Sequence, residues 1–151
     1  MIKLSKLADY GIVLLSYFAR GEDGQIHTSR ELAEASGLPL PTVGKVLKSL
    51  SRGELLVSHR GVKGGYSLAR PVKEISITDM VYAVDGPIAL TDCSTTAPHE
   101  CDLGEKCNVR ANWRIINDTV VAALNKLTLS DLIGPNEADD NATNNSHLKI
   151  V

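Results

Sequence analysis

Three cysteines, Cys93, Cys101 and Cys107, stand close together in a Gly- and Asp-containing stretch with the spacing Cys-x7-Cys-x5-Cys. Thiolates select soft metal centres, mainly zinc or iron–sulfur clusters. Three is an odd number for a disulfide framework, and none of the cysteines forms a Cys-x-x-Cys pair. Ligation is therefore the first expectation, either of a sensing centre or of a structural zinc, with a redox switch at one activated thiolate as the alternative. No Gly-rich phosphate loop and no nucleophile with an assignable base accompanies them, so the chain is not expected to be an enzyme.

The elements that position these thiols must come from a short chain. With 151 residues and 43% hydrophobic content it can bury one ordinary core, hardly two. The net charge of -2 conceals an asymmetry: residues 1–73 hold 11 Lys/Arg against 6 Asp/Glu, and residues 74–151 hold 5 against 12. A polyanionic partner should meet the first half. No N-terminal stretch reads as a signal peptide, and no apolar run approaches the roughly 20 residues that span a bilayer. A cytoplasmic protein without membrane contact is expected, in a compartment that keeps thiols reduced.

Leu4, Leu7, Ala8, Gly11, Leu14, Leu15 and Phe18 recur at helical spacing and predict a first helix ending near Arg20-Gly21. Thr28 or Ser29 can cap a second helix stopped by Gly37, and a third begins around Pro39 to Pro41 and runs through Val43, Val46, Leu47 and Leu50 to Gly53. Two short helices with a glycine-containing turn form the helix-turn-helix pattern, whose second helix reads the DNA major groove. Residues 55–60 and 66–69 then read as two strands, with Gly61-Val62-Lys63-Gly64-Gly65 as the hairpin tip, the wing. The expected fold is mainly α with a small β-hairpin, a winged helix-turn-helix domain over residues 1–73.

Double-stranded DNA is the expected partner. In the reading helix, Thr42 and Lys45 should reach base edges, while Lys48 and Arg52 meet phosphates and Pro41 shares the exposed face with Ser49. Thr28 and Ser29, at the start of the preceding helix, are counted with them. On the wing, Arg60 and Lys63 suit phosphates or a narrow minor groove. Gly44 lies on the exposed side at a cost of about 1 kcal/mol of helix propensity relative to Ala.

Beyond the wing, Ser76 or Thr78 can cap a helix containing Ile77, Met80, Val81 and Val84 that stops near Asp85-Gly86-Pro87. Residues 91–106 show no periodicity and form the cysteine loop. A helix of about 30 Å then runs from near Asn108 to Leu127, with Trp113, Ile116, Val120, Ala123 and Leu127 spaced three and four apart. Such a stripe is the seam of a helix pair, so homodimerisation and a pseudo-palindromic operator are expected. Residues 74–133 thus form a cysteine loop plus dimerisation helix, with Leu129, Leu132 and Ile133 docking the end. Residues 134–151, rich in Asn, Asp, Glu and Ser, read as a disordered tail.

The chain resembles the winged-helix iron–sulfur regulators typified by IscR and the nitric-oxide-sensing NsrR, over about residues 1–133. The resemblance rests on residues 4–11 (LSKLADYG), the wing Arg60-Gly61-Val62-Lys63-Gly64-Gly65-Tyr66, Gly86-Pro87-Ile88 ahead of Cys93, and Cys107 leading into Trp113. Residues 38–43 (LPLPTV) and 86–93 (GPIALTDC) look most like the branch that regulates the SUF iron–sulfur assembly operon. The resemblance implies that Cys93, Cys101 and Cys107 ligate an iron–sulfur cluster, first of the 2Fe–2S type with 4Fe–4S as the alternative, and that the protein represses transcription. Two departures stand out: the first gap has seven residues where the best-known members have five, and Arg110 stands where IscR has its histidine ligand. A guanidinium cannot coordinate iron. The fourth ligand is expected from Asp9 of the partner subunit, as in the NsrR type, then from His99, then from Asp92, Glu100 or Asp102.

Overall fold

A computed structural model of the chain describes residues 4–94 and 106–134. Six helices and one hairpin follow in order: α1 (Lys6–Arg20), α2 (Ser29–Ser36), α3 (Leu40–Arg52), β1 (Leu56–His59), β2 (Gly65–Leu68), α4 (Ile77–Asp85), α5 (Arg110–Asn125) and α6 (Leu129–Leu132). Short 3-10 turns precede α4 at Val72–Glu74 and follow it at Asp92–Ser94. The expected winged helix is present, with the first strand one residue shorter at each end than the sequence pattern suggested and the second shifted one residue toward the N-terminus.

Local chemistry explains most boundaries. Ser5 caps α1 by accepting from the Ala8 N–H at 3.0 Å, which leaves Leu4 outside the helix and exposed. Ser76, and not Thr78, caps α4: its hydroxyl accepts from Asp79 N while the Asp79 carboxylate accepts from Ser76 N. This reciprocal pair satisfies two otherwise orphaned donors.

The core is one cluster that draws on α1 (Leu14, Leu15, Phe18), α2 (Leu32), α3 (Val43, Val46, Leu47, Leu50), the start of the wing (Leu55, Leu56), α4 (Met80, Val81) and α6 (Leu129). Close helix approach depends on two glycines. A Cβ on Gly11 would lie 3.2 Å from Val84, and one on Gly53 would lie 2.5 Å from the Ala83 Cβ.

The end of α3 is built to launch the hairpin. Leu55 N donates to Leu50 O and Glu54 N to Ser51 O, the two bonds of a Schellman close, and Leu50 and Leu55 are both fully buried beside it. The left-handed position of this motif is filled by Glu54 (φ 60°), the one non-glycine with positive φ among the described residues. Glycine stands one residue earlier, where contact with α4 demands it.

Residues 127–129 return to the start of α4. Ile77 N donates to Leu127 O at 2.9 Å and Leu129 N to Ile75 O at 2.8 Å. Thr128 closes the turn into α6: its backbone N–H and then its hydroxyl hold the Asp131 carboxyl below the usual carboxylate range. Leu129 and Ile133 dock on the core as expected, but Leu132 does not; it faces outward. The expected tail, apart from Gly134, lies outside the described residues.

Two substitutions separate the roles at the α3 close. Gly53→Ala should destabilise the fold by about 1–3 kcal/mol through overpacking against α4. Glu54→Gly should stabilise it by about 1 kcal/mol by relieving the left-handed strain. Urea unfolding of both variants checks the opposite signs.

Candidate functional site

Thr28 accepts from Glu31 N at 3.2 Å while Glu31 accepts from Thr28 N at 2.9 Å, so α2 begins in a capping box. Gly37 (φ 71°) ends it, donating to Ala33 O. The Tyr17 hydroxyl donates to Ala35 O at 2.9 Å and ties this end of α2 to α1. Ser29 is the first residue of α2, so Thr28 is the cap and both side chains stand half-buried at the helix start.

From this base α3 presents two faces. Val43, Val46, Leu47 and Leu50 are buried, and the opposite arc exposes Pro41, Lys45, Lys48 and Arg52. Arg52 is partly turned back, its Nε donating to Lys48 O at 3.4 Å. Thr42 and Ser49, expected on the exposed face, are half-buried at its edge, because 100° per residue carries them toward the packed side.

The wing is braced from both sides. His59 Nε2 and Ser67 Oγ lie 2.8 Å apart across the hairpin. Tyr66 exchanges two 2.9 Å backbone hydrogen bonds with His27, so the segment before α2 adds a short third rung to the sheet. Close backbone approach requires glycine here: a Cβ on Gly65 would sit 2.5 Å from the His27 carbonyl oxygen. The tip closes with Gly64 N donating to Gly61 O, Gly61 being in the left-handed region (φ 102°). It carries Arg60, Val62 and Lys63 outward, all exposed.

Among the described residues the cations of this surface form no ion pair. Among the described residues the one ion pair is Arg70–Asp79 at 3.6 Å, at the foot of the wing. Lys45, Lys48, Arg60 and Lys63 have no carboxylate partner there. The sequence pattern missed the His27 rung and the His59–Ser67 link; the diagonal spacing of His59 and Ser67 across the hairpin was the available signal for the second.

Two of the three cysteines are described. Cys93 lies in the 3-10 turn packed against α5, its Sγ 3.1 Å from Thr91 Oγ1, and Ser94 N closes that turn on Thr91 O. Cys107 stands three residues before Arg110, the first residue of α5. Both thiols are free and half-buried. The Asn117 amide oxygen accepts from Leu90 N at 3.0 Å, anchoring the segment before Cys93 to the body of α5. Cys101, His99, Glu100 and Asp102 lie outside the described residues, as does the Asp92 side chain. Asp9 is exposed in the first turn of α1. Among the described residues no three His, Cys, Asp or Glu side chains gather closely enough to hold a metal.

Helix α5 is two residues shorter at each end than expected, and Leu127 falls in the turn after it. Its inward side uses the buried Asn117 and Leu124, which packs on the core, and Val121, whose carbonyl accepts from the Thr78 hydroxyl. The stripe of Trp113, Ile116 and Val120 instead lines a groove of about 550 Å³ with Leu4, Ile88 and Leu90. Ile116 and Leu127 are 44% and 46% exposed, too much for a stripe covered by its own chain. No helix among the described residues is long and apolar enough to cross a membrane.

A capped helix pair, a reading helix with exposed cations and a braced wing define a winged helix-turn-helix DNA-binding protein. Residues 4–135 match the Rrf2 family of iron-dependent transcriptional regulators, and the chain belongs to that family. It is 29% identical over 135 residues to the HTH-type transcriptional regulator NsrR of Oceanobacillus iheyensis, covering 87% of this chain and 90% of that protein. It is 27% identical over 140 residues to IscR of Cronobacter sakazakii, covering 92% and 85%. The structure of CymR, the global cysteine regulator of Bacillus subtilis, superposes with a TM-score of 0.69 at 26% identity, covering 88% of this chain and 97% of that one.

The capping box gives a direct check on α2. Thr28→Ala should lower stability by about 1 kcal/mol and Thr28→Ser should restore most of it, read by thermal unfolding.

Proposed function

We propose that this regulator senses iron–sulfur status as a homodimer: cysteine ligation at the head of α5 sets operator affinity, and the ligated form represses SUF iron–sulfur assembly genes. The observation that carries the reading is the packing of the Cys93 turn on α5, the helix that Cys107 leads into. Two free, half-buried thiols, with Thr91 the one side-chain partner among the described residues, suit soft-metal ligation. The relatives named NsrR and IscR support the same assignment. The SUF target rests on the resemblance of residues 38–43 and 86–93 alone.

Cys93, Cys101 and Cys107 would hold the cluster, with Asp9 of the second copy the first choice for the remaining position. A bound cluster supplies a link between these ligands that oxidation or iron shortage removes. The chain's own residues then transmit the change. Leu90 and Asn117 couple the Cys93 turn to α5, and Thr78 couples α5 to α4, whose Ala83 touches Gly53 at the end of the reading helix. A ligand shifts such an equilibrium only through unequal affinity for its two states.

On DNA, α3 enters the major groove with Thr42 and Lys45 toward base edges, while Thr28, Ser29, Pro41, Lys48 and Arg52 flank the backbone and Arg60 and Lys63 hold the wing to phosphates or the minor groove. The second copy seats on the stripe of Trp113, Ile116 and Val120 and supplies the other half-site.

Anaerobic purification followed by an absorption spectrum with iron, sulfide and zinc analysis tests the sensing assignment. Brown protein with acid-labile sulfide, bleached in Cys101→Ala, is expected; colourless protein with one zinc per chain would replace the sensor with a structural site. Ile116→Glu should give monomers in sedimentation with the helical circular dichroism retained. Lys63→Ala should reduce the salt dependence of duplex binding by about one phosphate's worth, a change of about 0.9 in the slope of log K against log salt.

A further inference from the structure

Glycine loses more backbone freedom than any other residue on entering a helix, so a helical glycine calls for a reason. The described glycines supply theirs. Gly24, Gly37, Gly61 and Gly86 have positive φ, and a Cβ on Gly11, Gly21, Gly53, Gly64 or Gly65 would press within 3.2 Å of another atom. Gly134 lies beyond the last helix. Gly44 alone sits inside a helix with ordinary φ and nothing within 4 Å of where its Cβ would be. The fold would accept Ala there and gain from it.

The position gives the vacancy a use outside the fold. Pro41 and Lys48 are the i−3 and i+4 neighbours of Gly44, and both are exposed. A proline ring on one side and the methylene stem of a lysine on the other edge a shallow apolar notch whose floor is bare helix backbone. In the major groove the apolar group that distinguishes one base from the others is the thymine methyl. We propose that the Gly44 notch receives a thymine methyl group, making Gly44 a specificity-determining residue of the reading helix. The inference rests on the assignment of α3 as the DNA reader. A side chain at residue 44 fills the notch and holds the helix off that base.

The test uses the full chain purified without oxygen and a duplex selected by it from a randomised pool. Each thymine of the half-site is replaced in turn by deoxyuridine, which removes only the methyl. Wild type should lose about fourfold in affinity at one position, the worth of one buried methyl group. Gly44→Ala should bind the parent duplex about tenfold more weakly, be indifferent to deoxyuridine at that same position, and unfold a few degrees higher. A selected half-site without thymine, no sensitive position, or a Gly44→Ala variant that binds and discriminates as wild type overturns the proposal. Lys45→Ala and Lys63→Ala separate the two levels of failure. If neither weakens binding, the reading-helix assignment falls; if they do while Gly44→Ala is silent, the notch alone falls.

Discussion

The close of α3 against α4 is the constraint from which the DNA-facing geometry follows. Gly53 lets the two helices approach until Ala83 touches the backbone, and the turn that follows is fixed by two hydrogen bonds and the Leu50–Leu55 pair. Because Leu55 and Leu56 are buried immediately after that turn, the hairpin has no freedom at its root. The angle between reading helix and wing is therefore set by the core, not by the exposed residues that meet a ligand. Glutamate tolerates the left-handed position because glycine was needed one residue earlier.

Much of this was legible in the sequence. The helical periodicity of Val43, Val46, Leu47 and Leu50, the stop at Gly37 and the glycine-rich tip between two short strands are local signals, and local signals survive folding. What escaped depends on segments distant in the chain. The His27–Tyr66 rung joins residues about forty apart, and a lone His before a cap offers no period to detect. Leu132 misled because an apolar residue in a four-residue helix carries too little pattern to assign its face. Thr42 and Ser49 lay at the border of the exposed arc, where one residue's rotation decides burial.

For the cysteines the sequence offered an expectation of soft ligands from their spacing, but no sign that the first thiol would sit in a turn seated on α5, with the segment before it tethered through Asn117. A buried asparagine in an otherwise apolar stripe is a signal of that tether, since a buried amide needs a partner. The same helix thus turns Asn117, Val121 and Leu124 toward its own chain and a second apolar side, Trp113, Ile116 and Val120, toward the groove.

The clasp between residues 75–77 and 127–129 makes the second half of the molecule a closed circuit held by backbone bonds and by Leu129 in the core. Its topology separates connectivity from integrity. A single break in the covalent chain between α4 and α5 would leave both pieces fastened to the same hydrophobic cluster, so the two fragments would stay together as a complemented pair.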